Sequence, residues 1–111
     1  MPRVCRLDDI VPNTGVCALV DGEQVAVFRV DQQIYAIGNR DPFSGANVLS
    51  RGIVGDLQGE LVVASPVYKQ HFSLVTGLCI EDPSVSVPVY RTRVEGGEIQ
   101  ILLTGESQCR T

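Results

Sequence analysis

The chain has 111 residues, of which 44% are hydrophobic, and a formal net charge of −4 at pH 7. This length suits one domain, whose core is large enough to fold without disulfides or metal. The acidic balance disfavours a general affinity for nucleic acid, which needs clustered Lys and Arg. There is no run of about 18 apolar residues, and the N-terminus MPRVCRLDDI lacks the apolar centre of a signal peptide. We therefore expect a cytoplasmic protein without a membrane segment.

Alternating apolar residues predict strands along the first two thirds of the chain. The segments GVCALV and QVAVFRV flank Asp21-Gly22, a pair that favours a two-residue hairpin because glycine accepts positive φ. QIYAIGN follows a second polar break at Asp31-Gln32, so these three segments predict a meander. ELVVAS and HFSLV flank a loop, and Thr76-Gly77 turns the chain again.

The C-terminal part continues the strand pattern. VSVPVYRTRV alternates at Val85, Val87 and Val89, and Pro88 within it predicts an edge position or a bulge. EGGEIQILL places a Gly96-Gly97 turn before a further alternating segment. The pattern as a whole predicts a small all-β sandwich or barrel.

The remaining segments carry little regular structure. LDDIVP and GANVLSRG each predict no more than one helical turn, and the glycine-punctuated LSRGIVGDLQGEL predicts a surface connection near residues 55–59. Apolar residues stop near residue 105. We therefore predict one domain over residues 1–104 and a polar C-terminal tail over residues 105–111.

The four cysteines do not form a recognisable metal or redox motif. Cys5, Cys17, Cys79 and Cys109 are scattered, without a C-x-x-C pair. The first three lie among apolar residues and are interpreted as small core hydrophobes, whereas Cys109 lies in the polar tail. We expect free thiols without a catalytic role.

Standard catalytic motifs are also missing, including the nucleophile elbow, the zinc-protease helix and the nucleotide-binding glycine loops. The only histidine, His71, lies in ASPVYKQHF beside Tyr68 and Lys69, and nothing in the sequence fixes a serine and an aspartate as its partners. The carboxylate pairs Asp8-Asp9 and Glu81-Asp82 are typical of turns and caps. We expect no catalytic residue and no metal site in this chain.

Two stretches resemble each other and a known family. NRDPFSGANVLSRG (residues 39–52) and ASPVYKQHFSLVTG (residues 64–77) each follow a strand, and each has a proline early in the loop. They resemble the two cluster-binding loops of the Rieske iron–sulfur domains, which carry C-P-H and C-P-x-H-x-x-x-F with a closing T-G. The matching residues are Pro42, Leu49, Gly52, Pro66, Phe72 and Thr76-Gly77. The resemblance implies an all-β Rieske-like sandwich or barrel with a two-loop tip.

The ligands of that family, two cysteines and two histidines, are replaced here. Asp41 and Ser65 match the two cysteines, and Phe43 and Tyr68 match the two histidines. Phenylalanine has no donor atom, serine and tyrosine keep their protons near neutral pH, and the hard oxygen of Asp41 suits Mg or Ca rather than iron and sulfide. We therefore expect no cluster. We expect Phe43 and Tyr68 to pack on each other, and Asp41 to cap a turn or to remain an ordinary loop residue.

A narrower resemblance covers nearly the whole chain. D-P-F in place of C-P-H, and S-P-x-x-K-Q in place of the second ligand pair, resemble the small subunits of the assimilatory NAD(P)H-dependent nitrite reductases. That resemblance implies a large-subunit partner carrying FAD, siroheme and a 4Fe-4S cluster, which reduces nitrite to ammonium, and a small subunit without a cofactor of its own. Two alternatives stay open: an adaptor or regulatory module of another oxidoreductase, and a 2Fe-2S electron carrier, which the missing ligands disfavour.

The placement of charge predicts an interface. Arg40, Arg51, Lys69 and His71 all lie in the two stretches, together with Phe43 and Tyr68. Arginine and aromatic residues are enriched at interface hot spots, and a basic tip on an acidic body orients an encounter. These six residues are the predicted contact with the large subunit, the alternative being a solvated loop surface.

Overall fold

The computed structural model describes residues 3–102, which form nine strands and two single 3₁₀ turns. The strands are β1 (Arg3–Arg6), β2 (Thr14–Val20), β3 (Glu23–Val30), β4 (Gln33–Gly38), β5 (Ile53–Leu57), β6 (Glu60–Ala64), β7 (His71–Ser73), β8 (Val89–Glu95) and β9 (Glu98–Leu102). The 3₁₀ turns are Leu7–Asp9 and Leu49–Arg51. The all-β prediction is confirmed, and so are the two single helical turns. The predicted tail, with Cys109, lies outside the described residues.

The strands form two antiparallel sheets. Six strands follow the order β1-β9-β8-β4-β3-β2, and three follow the order β5-β6-β7. The predicted meander is the β2-β3-β4 part of the larger sheet. Its first turn has φ values of 50° at Asp21 and 83° at Gly22, and the Gly96-Gly97 turn has 61° and 81°. Both are two-residue turns with positive φ at both central residues, the geometry that matches the twist of a hairpin.

Two hydrophobic cores share strand β3. Val25 and Val27 contribute to a core enclosed by the larger sheet, together with Ile99 and Ile101. The alternate residues of β3 face the other way, where Phe28 packs in a core between the two sheets. Since both faces of β3 are covered along its middle, residues 25–28 form a continuous apolar run, VAVF. The second core includes residues of β6 and β7, and it supports the loops that follow β4 and β6.

The structure corrects three predictions. The connection predicted around residues 55–59 contains β5, which pairs with β6 from Ile53↔Ala64 to Leu57↔Glu60. Pro88 is neither on an edge strand nor at a bulge within a strand, because β8 begins one residue later and pairs in regular register between β4 and β9. The Pro88 carbonyl still accepts a hydrogen bond from the Gly38 N–H (2.9 Å). Cys17 is exposed rather than in the core, because it shares a face of β2 with Leu19, which is 72% exposed.

Within the described part of the chain, no helix is long and apolar enough to cross a membrane.

Candidate functional site

The loops that follow β4 and β6 have the same backbone hydrogen bonds. In the first loop (residues 41–46), the N–H of Asp41 donates to the carbonyl of Ala46 (2.8 Å), and the N–H of Gly45 donates back to the carbonyl of Asp41 (2.7 Å). Gly45 has a φ of 77°, which reverses the chain direction at this point. The first loop is therefore a closed turn of six residues, fixed mainly by its own backbone.

The second loop (residues 65–70) repeats this pattern. The N–H of Ser65 donates to the carbonyl of Gln70 (2.9 Å), and the N–H of Lys69 donates to the carbonyl of Ser65 (3.1 Å). Lys69 has a φ of 67° and so occupies the place that glycine holds in the first loop. The sequence resemblance between the two stretches thus corresponds to two loops of matching geometry.

The first residue of each loop also caps its own turn. Oδ1 of Asp41 accepts the N–H of Phe43 (2.8 Å), and Oγ of Ser65 accepts the N–H of Val67 (3.3 Å). These are the short side-chain-to-backbone bonds that aspartate and serine make in turns. The prediction that Asp41 caps a turn is confirmed.

A buried hydrogen bond joins the two loops. The hydroxyl of Ser65 donates to Oδ2 of Asp41 at 2.5 Å, although the two residues are 24 positions apart in the chain. Asp41 is 0% exposed and Ser65 is 1% exposed. These are the two positions that match cysteines in the Rieske loops. This contact was not predicted from the sequence, although both positions match cysteine ligands of one cluster, which was a signal for it.

The two aromatic residues do not pack on each other as expected. The ring of Phe43 lies against Phe72 of β7, with 6.2 Å between centroids and 48° between planes. Tyr68 is 59% exposed. The expected Phe43–Tyr68 pair is therefore wrong, because β7 supplies the ring that covers Phe43, while Tyr68 lies on the crest of the second loop.

The residues at the four matched positions do not fit an iron–sulfur cluster. The carboxylate of Asp41 is already bonded to Ser65, Phe43 has no donor atom, and Tyr68 is largely exposed. A Rieske cluster needs cysteine and histidine ligands in these places. Over residues 3–102, no three or more His, Cys, Asp or Glu residues lie together in a way that could hold a metal ion.

His71 is held by a carboxylate rather than free at the loop tip. Oε1 of Glu81 accepts the backbone N–H of His71 (2.8 Å), and Oε2 lies 2.6 Å from Nδ1 of the imidazole. Partial burial favours a higher pKa for Glu81, but the bonds from His71 outweigh it, so the pKa of Glu81 is below its usual value. This pair fastens the segment after Cys79 to the start of β7.

The thiols of Cys79 and Cys5 lie in surroundings that lower their reactivity. Cys79 is fully buried in the core between the sheets, as predicted, and burial raises the pKa of its thiol. Cys5 is half-buried, and burial together with the nearby charge of Asp9 raises the pKa of its thiol as well. A raised pKa lowers the fraction of reactive thiolate. Both thiols therefore act as small apolar side chains.

Three exposed cations surround the paired loops. Arg40, Arg51 and Lys69 have no ion-pair partner among the residues the structure describes. Arg40 precedes the first loop, and its Nη2 lies 3.6 Å from where a side chain on Gly45 would begin. Arg51 adjoins Gly52, whose backbone packs so closely on the Ala64 carbonyl that an added Cβ would lie 2.3 Å from it. The three cations together with Tyr68 are called the tip below.

The comparisons with known proteins agree with this geometry. The model of the Rieske-like [2Fe-2S] domain family matches residues 2–102. The nitrite reductase (NADH) small subunit of Salmonella typhimurium is 55% identical over 101 residues, which covers 89% of this chain and 94% of that protein. The solution structure of the nitrite reductase [NAD(P)H] small subunit of Erwinia carotovora is 57% identical, with a TM-score of 0.79, and the match covers 92% of this chain and 80% of that one.

A third relative is a much longer protein. The nitrite reductase [NAD(P)H] large subunit of Klebsiella oxytoca is 40% identical to this chain over 98 residues, which is 88% of this chain and 10% of that protein. The near full-length matches to small subunits, together with the paired loops and their replaced ligand positions, decide the family. The chain belongs to the family of the nitrite reductase small subunits, which have the fold of the Rieske-like domains.

Proposed function

We propose that this chain is the small subunit of an NAD(P)H-dependent nitrite reductase and acts as an accessory subunit without a cofactor. The observation that carries the proposal is the 55% identity to a nitrite reductase small subunit over 94% of that protein's length. The donor chemistry at Asp41, Phe43, Ser65 and Tyr68 supports the absence of a cluster, because these side chains do not fit iron and sulfide.

In this assembly the redox chemistry belongs to the large subunit. FAD, siroheme and a 4Fe-4S cluster there carry electrons from the nicotinamide to nitrite, which becomes ammonium. The small subunit has no activity of its own and serves the cytoplasmic enzyme by association. The Asp41–Ser65 bond supports this role, since it connects the two loops without a metal.

The Klebsiella relative supports the choice of partner. A segment related to this chain occupies 10% of a protein named as a large subunit. When two domains lie in one polypeptide, the effective concentration of each near the other is high, so their association persists. A separate small subunit must reach the same place by docking, and the predicted contact set is Arg40, Phe43, Arg51, Tyr68, Lys69 and His71. Among these, the tip residues are the exposed ones.

The test uses the purified large subunit with and without this chain. We expect the two to co-elute in size exclusion, and nitrite-dependent NAD(P)H oxidation to rise when the chain is added. Separate elution with unchanged turnover would contradict the proposal and favour an adaptor of another oxidoreductase. In parallel, the chain is incubated anaerobically with iron, sulfide and a thiol. It should remain colourless. Visible absorption from a bound cluster would instead support the hypothesis that the chain is a 2Fe-2S electron carrier.

A further inference from the structure

We propose that the crest of the second loop, residues 67–69, is the contact that the large subunit binds, and that the Lys69 ammonium pairs there with a carboxylate of that subunit. The proposal rests on the proposed function and names the residues and the partner chemistry of the association. It depends on the side chains that the two loops expose, which differ although the two backbones have the same hydrogen bonds.

The crests of the two loops differ in what they expose. In the second loop, Val67 is 43% exposed and Tyr68 is 59% exposed, and Lys69 follows them on the surface. In the first loop the aromatic residue that matches a Rieske histidine, Phe43, is half-buried against Phe72. Only the second loop therefore presents an apolar pair and a charge together. Tyrosine is suited to such a surface because its ring is apolar and its hydroxyl can still bond.

The backbone at Lys69 is costly for a lysine. Its φ of 67° lies in the left-handed region, which residues with a Cβ enter at a cost that glycine avoids. The N–H of Lys69 makes the same bond as that of Gly45, so the loop needs no side chain at this position. Strain held at a surface residue motivates a hypothesis of function. The side chain of Lys69 therefore has no role in forming the loop, and its ammonium is available to a partner.

The charge of Lys69 indicates what it meets. Its ammonium has no ion-pair partner over residues 3–102, although the chain as a whole carries a net charge of −4. Lys69 is therefore free to pair with a carboxylate on another protein. The Klebsiella relative identifies that protein as the large subunit, since there a related segment is part of the large-subunit chain. Removing one member of a hydrogen-bonded charge pair at a contact costs affinity, because the other charge is left buried without a partner.

The most informative variant is Lys69→Gly. It removes the backbone strain at this position, which should favour folding, and it removes the ammonium group, which should weaken binding. Removing the side chain relieves the backbone, so we expect the melting temperature to stay unchanged or to rise by up to about 4 °C. The same change removes the interface charge, so we expect the Kd for the large subunit to rise about tenfold or more. Calorimetric titration against the intact large subunit measures the affinity, and differential scanning calorimetry measures the stability.

Gln58→Gly is the matched control. Gln58 has a φ of 54° in the β5–β6 turn, so the substitution relieves the same type of strain. The Ile53↔Ala64 pair lies next to the loops, and the β5–β6 turn follows four residues further along these strands. At the rise of a β-strand, the turn is about 13 Å from that pair. We expect its Kd to equal that of the unchanged chain. Lys69→Arg keeps the charge and should retain most of the affinity.

The outcomes separate this inference from the proposed function. If the unchanged chain does not bind the large subunit, the proposed function fails. If it binds and Lys69→Gly binds equally well, the proposed function stands and the crest is not the contact. Lys69→Asn is the second variant if Lys69→Gly lowers the melting temperature. Asparagine tolerates positive φ and carries no charge, so this variant separates loss of the loop structure from loss of the interface charge. Unchanged affinity in that variant would overturn the inference, and so would equal losses in Lys69→Gly and Gln58→Gly.

Discussion

At the scale of single residues, the Asp41–Ser65 bond is the feature most specific to this protein. Both oxygens of a fully buried carboxylate have a donor, Oδ1 from the backbone of Phe43 and Oδ2 from the Ser65 hydroxyl. Burying a charged group without partners is unfavourable, whereas a bonded carboxylate is tolerated. The two side chains therefore depend on each other. Removing the Ser65 hydroxyl should cost more stability than the one hydrogen bond it makes, because the Asp41 carboxylate stays buried without that donor.

Ser65→Ala tests this dependence. The substitution leaves Oδ2 of Asp41 buried without its donor, so we expect the free energy of unfolding to fall by about 1–3 kcal/mol. Chemical denaturation of the two proteins measures the difference. Ser84→Ala is the control, because the Ser84 hydroxyl also bonds an aspartate, Asp82, at 2.6 Å but on the surface. There water replaces the lost hydroxyl, so the loss should stay near zero. Equal losses in the two variants would contradict the buried role.

At the scale of elements, Gly77 fixes the turn that follows β7. It has a φ of 80°, and a Cβ added there would lie 2.3 Å from the carbonyl oxygen of Val87. The N–H of Val87 donates to the carbonyl of Gly77 (2.9 Å), so the segment before β8 lies directly on this turn. A side chain at Gly77 would meet both a strained backbone and a steric clash.

Gly77→Ala should therefore lower the free energy of unfolding by about 3 kcal/mol, which combines the left-handed backbone with overpacking. Gly22→Ala is matched in conformation, since Gly22 has a φ of 83°, but nothing lies within 4 Å of the added Cβ. It should cost only about 1 kcal/mol. Thermal or denaturant unfolding of both variants gives the comparison. If the two losses are equal, close packing at Gly77 is unimportant.

The Glu81–His71 pair, which attaches the segment after β7, should make the free energy of unfolding depend on pH. Because the pKa of Glu81 is lowered in the folded chain, its contribution is present above the unfolded pKa of about 4.3 and is lost as the pH falls through the lowered folded value. Glu81 is 46% exposed, so solvent screening limits the effect to a few tenths of a kcal/mol.

Glu81→Gln should therefore destabilise the chain at pH 7 and approach the stability of the unchanged chain at an acidic pH below the lowered pKa of Glu81, where Glu81 is itself protonated. Denaturation curves across this range measure the difference. A destabilisation that is the same at both pH values would show that the charge of Glu81 has no part in it.

The fold was predictable where local chemistry decides it. The turns at Asp21-Gly22 and Gly96-Gly97 combine the right residues with flanking alternation, and both hairpins form as expected. Strand β5 was missed because Gly55 and Gly59 suggest a loop, whereas pairing along β6 holds those residues extended. Strand β1 has only four residues, too few to show a period. Pairing with a distant strand is tertiary information that local patterns lack.

The candidate site was predictable in its positions and not in its contacts. The resemblance of the two stretches identified Asp41 and Ser65 as a matched pair, but their side chains meet only because the fold brings the loops after β4 and β6 together. The same limit explains Phe43, which contacts Phe72 rather than Tyr68. Which aromatic turns inward depends on the space that the two sheets leave between them. That space is not visible in the spacing of residues along the chain.

At the scale of the whole molecule, the charge distribution is uneven. The chain carries a net charge of −4, yet three of its exposed cations, Arg40, Arg51 and Lys69, lie in or beside the paired loops. Such an arrangement steers an approaching partner and raises the association rate more than it raises the affinity. We therefore expect the association rate with the large subunit to fall as salt screens the tip, with a smaller change in the dissociation rate.

Replacing both Arg51 and Lys69 with glutamate should slow association with the large subunit at low salt. At low ionic strength, where the Debye length is about 30 Å at 0.01 M salt, the unchanged chain should associate about tenfold faster or more than the double variant. Near 1 M salt, where that length is about 3 Å, the two rates should converge. Stopped-flow or surface-binding kinetics across this range provides the measurement. Arg91→Glu with Arg93→Glu makes the same change in net charge on β8, outside the two loops. If that control slows association equally, net charge and not the tip steers the encounter.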